Sequence, residues 1–144
     1  MSTAIKQFPR QIDSVLRRPW QIRAMAVVDA VILNVIILLV ARAITGEFPR
    51  AALSGDEQTI RLPEVIIVTA FAGLIAALLL GLLERFTDRA KTIWTAIAFV
   101  VLLISLIGPL DGGVDTESKI TLALLHIGAA ATIIPLMRRE PATD

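Results

Sequence analysis

Residues 65–83 read VIIVTAFAGLIAALLLGLL, nineteen positions in which Thr69 is the one polar side chain. At ~1.5 Å of rise per residue this run makes a helix about as long as the ~30 Å hydrocarbon core of a bilayer is thick. It is apolar on every face, so it has no polar stripe to turn toward water. Three further blocks share its character. Ala24–Ala41 is interrupted by Asp29 and Asn34, Ile93–Leu110 by Thr95 and Ser105, and Ile120–Met137 by Thr121, His126 and Thr132. The four blocks fill half of a 144-residue chain and leave too little polar helix surface to cover them in a water-soluble core. The expected fold is all-α, an antiparallel bundle of four transmembrane helices at about 21–42, 64–84, 92–110 and 119–137. A charged N-terminal segment (1–23) precedes this membrane domain (24–137), and a short tail (138–144) follows it.

Composition narrows the functional classes. Hydrophobic residues are 56% of the chain and charged residues 19%, with a mean hydropathy of +0.75. Disorder is excluded, since an ordinary soluble domain is only about 45–50% apolar. A net charge of +1 gives no footprint for nucleic acid. The absence of cysteine removes disulfides, thiolate metal sites, iron–sulfur clusters and cysteine nucleophiles together. A single histidine, His126, cannot build an all-histidine metal site or a bis-histidine haem within one chain. No cofactor, no metal and no enzymatic activity are expected.

Local signals punctuate the spans. Leu62-Pro63-Glu64 places proline and an acid at a helix start, where a missing amide costs little and negative charge suits the dipole. Gly108-Pro109 is expected to close the third helix, and Pro135 to kink or unwind the fourth near Met137. Ala41-Arg42-Ala43 fits a small-x-small cleavage pattern, but the preceding basic region and the apolar run are both too long for a signal peptide, so the first helix reads as retained.

The connecting segments carry an orientation. Lys6, Arg10, Arg17, Arg18, Arg23, Arg85, Arg89, Lys91, Arg138 and Arg139 fall on one side, with five acids. The other side has Arg42, Arg50, Arg61 and Lys119 with seven acids. Ten basic groups against four predict a cell-membrane protein with both termini cytoplasmic. Trp20 and Trp94 each open an outward-running helix and are expected in the cytoplasmic aromatic belt. Ile5, Phe8, Ile12, Val15 and Leu16 alternate with charges at near-helical spacing, reading as a short amphipathic segment that adheres to the inner membrane surface or docks a partner. In the outer loop, Ser54-Gly55-Asp56 marks a turn and Gln58–Leu62 alternates like a strand. A small hairpin and a flexible loop both fit.

The intramembrane polar residues are the candidate sites. A carboxyl at a helix centre costs roughly 2.5–3.5 kcal/mol on insertion scales, and Asp29 has no partner on its own helix. Counting depth places it level with Thr132, to which a protonated Asp29 could donate. Alternatively it titrates in a proton or substrate pathway. The same count puts Thr69, Ser105 and His126 within a turn of one another near the outer surface, with Asn34 slightly deeper, as a hypothetical polar, ligand-binding patch. Without a G-x-S-x-G elbow or an orienting acid, Ser105 and His126 read as interhelical hydrogen-bonding groups rather than a catalytic pair. Gly73, Ala77 and Gly81 form a small-residue face, as do Gly128 and Thr132, for close helix packing within the bundle or between protomers.

Asn34, Leu82-Leu83-Glu84-Arg85, Trp94, Ser105-Leu106-Ile107-Gly108-Pro109, Leu122-Ala123-Leu124-Leu125-His126 and Pro135 together carry a resemblance. From about residue 24 onward the chain resembles a family of small four-helix bacterial membrane proteins known only as a domain of unknown function. The resemblance implies the fold and the membrane location and supplies no activity or ligand. Asp29 and the charged N-terminal extension are not part of it.

The leading reading is a non-enzymatic integral membrane protein with a structural, accessory or small-ligand-binding role. Its expected partners are the lipid bilayer and either a second copy or another membrane protein. The alternative is a small proton-coupled exporter using Asp29, similar to the small multidrug resistance transporters. A membrane hydrolase would need Ser105 and His126 in contact with an activating acid.

Overall fold

The structure, a computed structural model, describes residues 19–53 and 55–139. The amphipathic stretch expected before residue 19 and most of the tail lie outside the described residues. Helix α1 spans Pro19–Thr45, strand β1 Arg50–Leu53, strand β2 Asp56–Thr59, α2 Leu62–Phe86, α3 Ala90–Gly112 and α4 Thr116–Arg139. All four helices are long and apolar enough to cross a membrane.

The helix ends follow from local chemistry. Past Thr45 the chain turns through Gly46 at φ +82°, a conformation glycine adopts without steric cost, and the Gly46 N–H donates to the Arg42 carbonyl at 2.8 Å. At the start of α2 the Glu64 carboxylate accepts from the Arg61 N–H at 3.1 Å, occupying one of the free amides of the first turn. Helix α3 does not close at Gly108-Pro109. It continues through Pro109 to Gly112, and the Gly113 N–H returns to the Pro109 carbonyl at 3.1 Å. Proline removes one bond near a helix end, and the next turn supplies others. Helix α4 likewise stays helical through Pro135 to Arg139, without unwinding at Met137, whose side chain is fully buried.

Helix α1 packs between α2 and α4, and α3 closes the bundle against those same two helices. Helix α1 runs antiparallel to α2, since Arg23 meets Glu84 and Asn34 meets Thr69, and antiparallel to α4, since Asn34 lies at Gly128 while Ala26 and Ala30 cluster with Ile133 and Met137. Both small-residue faces pack onto α1 within the chain. A β-carbon on Gly73 would lie 2.8 Å from Val27 Cγ2, and one on Gly128 2.7 Å from Ile37 Cδ1. Two apolar clusters fill the interior. Ala26, Ala30, Leu80, Trp94, Ile133 and Met137 belong to the one nearer the termini. Leu38, Val65, Leu122 and Leu125 belong to the one nearer the hairpin. Between them lies a polar layer of Asn34 and Thr69 beside Gly128.

The two tryptophans differ. Trp20 is exposed, as a belt residue would be, whereas Trp94 is 1% exposed and donates its indole N–H to the Ala76 carbonyl at 2.9 Å. Trp94 is a core residue rather than part of an aromatic belt, because α2 offers both an apolar pocket and an acceptor for its one polar atom. The outer surface is apolar instead, with Ile67, Phe71, Leu103 and Ile107 among many exposed large side chains.

The loop after α1 is a hairpin. β1 and β2 pair antiparallel, Arg50 with Thr59 and Leu53 with Asp56, around Gly55 at φ +94°. Leu62, expected at the end of a strand, already begins α2. The hairpin is stitched to the α3–α4 connection, with Ala51 bridging Gly113 and the Val114 N–H donating to the Arg50 carbonyl at 3.2 Å.

Candidate functional site

On α1, Ala26, Ala30, Asn34 and Leu38 face inward at four-residue spacing and are buried. This stripe brings Asn34 to the bundle centre, where its Nδ2 donates to Thr69 Oγ1 of α2 at 3.0 Å. Asn34 is 2% exposed, and its Oδ1 has no hydrogen-bond partner among the described residues. That oxygen points toward Gly128, standing 2.9 Å from where a β-carbon would be. The glycine lets α4 approach closely enough to enclose the amide.

The other candidates turn to their own helices. Ser105 Oγ donates to the Leu102 carbonyl at 2.8 Å, and Thr132 Oγ1 donates to the Gly128 carbonyl at 2.9 Å. His126 Nδ1 lies 2.7 Å from the Leu122 carbonyl. Of the patch expected from depth, the structure thus joins Asn34 and Thr69. No Ser105–His126 hydrogen bond is present among the described residues.

Asp29 lies on the exposed side of α1. It makes no hydrogen bond or ion pair among the described residues, and Met25, Val28 and Ile32 around it are also exposed. Its depth relative to Thr132 matches the count, since Asn34 meets Gly128 and the helices run antiparallel. Its azimuth does not, and Thr132 is bonded within α4. Arg23 holds Glu84 of α2 at 2.7 Å, with side chains 13% and 24% exposed. Sequence reasoning missed this pair. Its signal was two opposite charges at matching depth at the same end of adjacent helices.

A second polar centre lies at the hairpin end. Asp115 precedes α4 and accepts from the Ser118 N–H at 2.7 Å, a side-chain cap on the helix start. Buried Ser118 in turn accepts from the Arg50 N–H at 2.9 Å, and the Arg50 guanidinium reaches Asp115 at 3.3 Å and Glu57 at 3.5 Å. The Ser118 backbone N–H, then the Ser118 hydroxyl and Arg50, hold the Asp115 carboxyl below its usual range. These bonds fasten the hairpin across the end of the bundle. Among the described residues no three His, Asp or Glu side chains cluster to hold a metal ion.

A family described as a family of unknown function, DUF6069, matches residues 14–143. No curated protein and no solved structure matches the chain.

Proposed function

The chain belongs to the DUF6069 family of unknown function, and on that premise we propose that it is a non-catalytic, multi-pass protein of the cell membrane. Both termini are cytoplasmic, and its role is structural, accessory or small-ligand-binding. The observation that carries this reading is how the intramembrane polar groups are used. Asn34 and Thr69 bind each other, and Ser105, His126 and Thr132 each engage their own helix. Nucleophilic catalysis needs a base within hydrogen-bond reach of the nucleophile, whereas Asn34 and Thr69 tie two helices together and the other three side chains bond backbone carbonyls of their own helix. The ten-to-four division of basic residues supports the orientation.

The absence of cysteine makes the orientation directly testable. Single cysteines replacing Ser14, Ser54, Thr116 and Thr143 are labelled with a membrane-impermeant thiol reagent on intact and permeabilised cells. Thr116 is exposed, unlike buried Ser118 beside it. Positions 54 and 116 are expected to label from outside and 14 and 143 only after permeabilisation. Labelling of 14 and 54 from the same side overturns the orientation. For the role, native purification is expected to recover a membrane-protein companion or a bound small molecule. Turnover of a substrate that is abolished in both Ser105→Ala and His126→Ala would overturn the non-catalytic reading.

The exposure of Asp29 toward the bilayer favours one second reading, a proton-coupled exporter in which that carboxyl exchanges a proton for a lipophilic cation. Resistance or transport that survives Asp29→Asn unchanged rules it out.

A further inference from the structure

We propose that the outward face of α1 is a self-association seam, occupied by α1 of a second copy of this chain and keyed by Asp29. Met25, Asp29, Ile32, Ile36 and Leu39 follow one another at intervals of four, three, four and three residues, and all five are exposed. This is the 3.5-residue repeat of a left-handed helix pair, the commonest crossing between transmembrane helices.

Apolar exposed stripes also run along α2 and α3, through Ile67, Phe71 and Leu78 and through Val100, Leu103 and Ile107. Lipid chains cover such stripes as well as a protein does. The α1 stripe differs because it contains a carboxyl. Asp29 lies nine residues beyond Trp20, ~13 Å along the helix, so its short side chain cannot reach the headgroup region. Lipid offers it no hydrogen-bond partner, and leaving it unpaired costs free energy.

The chemistry of the group selects the occupant. A carboxylic acid carries one donor and retains acceptor capacity, so two such groups at one depth complete each other without a further residue. A two-fold axis along the membrane normal brings Asp29 opposite its own equivalent at that depth. Among the described residues the chain has no lysine or arginine at this depth to serve instead, and Arg23 is held by Glu84. A single polar residue in an otherwise apolar seam fixes the register of the pair. The proposal rests on the single orientation given above, because only copies inserted in the same sense present Asp29 at matching depth.

The test is disulfide crosslinking of full-length protein in native membranes. Single cysteines at Ile32 and Ile36 are expected to give symmetric dimers on oxidation, while single cysteines at Ile67 and Leu103 remain monomeric. Asp29→Asn keeps a donor and an acceptor and is expected to retain crosslinking. Asp29→Leu is expected to weaken self-association about tenfold in a fluorescence energy-transfer titration. Equal crosslinking at all four positions, none at 32 or 36, capture of a different protein by the seam, or unchanged association in Asp29→Leu overturns the seam. Failure of the orientation reads differently. Position 54 then labels from both sides, and a cysteine at Met25 crosslinks to one at Leu39 rather than to its own equivalent.

Discussion

Removing the Thr69 hydroxyl and removing the Asn34 amide are expected to have unequal effects. Thr69→Val takes away the acceptor of the 3.0 Å bond from Asn34 Nδ2. Because Asn34 Oδ1 already lacks a partner among the described residues, the whole buried amide is then unsatisfied. Deleting one member of a buried pair costs about 1–3 kcal/mol in general. Interhelical bonds in membrane proteins average ~0.6 and reach ~1.7 kcal/mol. A loss of about 1–1.5 kcal/mol is therefore expected. Asn34→Leu substitutes an apolar branch of similar shape, eliminates the unpaired oxygen and frees the Thr69 hydroxyl to bond its own helix backbone one turn back. Its cost is expected below about 0.5 kcal/mol, and the double variant should match Asn34→Leu alone. The assay is reversible unfolding in mixed micelles followed by tryptophan fluorescence, with Trp94 buried in the core as a reporter. If Asn34→Leu costs as much as Thr69→Val, the Oδ1 atom has a partner of its own. The account of the amide as an interhelical tie with one spare acceptor is then wrong.

Two further outcomes follow from the packing and from the hairpin end. Gly128→Ala drives a β-carbon to 2.7 Å from Ile37 Cδ1 and 2.9 Å from Asn34 Oδ1, an overpacking expected to cost about 1–3 kcal/mol in the same unfolding assay. Gly81→Ala meets only the tip of the Arg23 side chain, at 2.9 Å; it is expected to be neutral or slightly stabilising, and a cost equal to that of Gly128→Ala would refute the distinction. At the hairpin end, the lowered Asp115 pKa means that its contribution to stability is present above the ordinary carboxylate range and is lost as pH falls through the lowered folded value. Protection of the Arg50 and Ser118 amides from hydrogen exchange, corrected for the intrinsic pH dependence of exchange, is expected to fall on such acidification in the wild type, and Asp115→Asn should remove that fall.

Several elements were legible in the residues because their signals are local. Leu62-Pro63-Glu64 marks a helix start wherever it occurs, and Ser54-Gly55-Asp56 marks a turn, so α2 and the hairpin tip fall where expected. Prolines misled about where the helices stop, for the converse reason. Pro109 and Pro135 are local breakers, yet α3 and α4 run through them, because losing one hydrogen bond near a helix end is a small term against burial of the next turn. The depth count placed Asn34 slightly deeper than Thr69, close enough for the bond that joins them, since rise per residue is the same in every helix.

What the sequence determined by itself is the number of helices long and apolar enough to span a membrane, since unbroken apolar runs of bilayer length admit few other structures. What only the tertiary structure decided is which way each side chain faces. It turns Trp94 inward and Asp29 outward, joins Asn34 to Thr69, and sends Ser105 and His126 back to their own helices. The reason is physical. A helix apolar all round has no hydrophobic side to identify its core face, and lipid solvates apolar side chains as well as a protein interior does. Azimuth is set instead by where small residues let backbones approach and where the few polar atoms find partners, and both depend on the neighbouring helices.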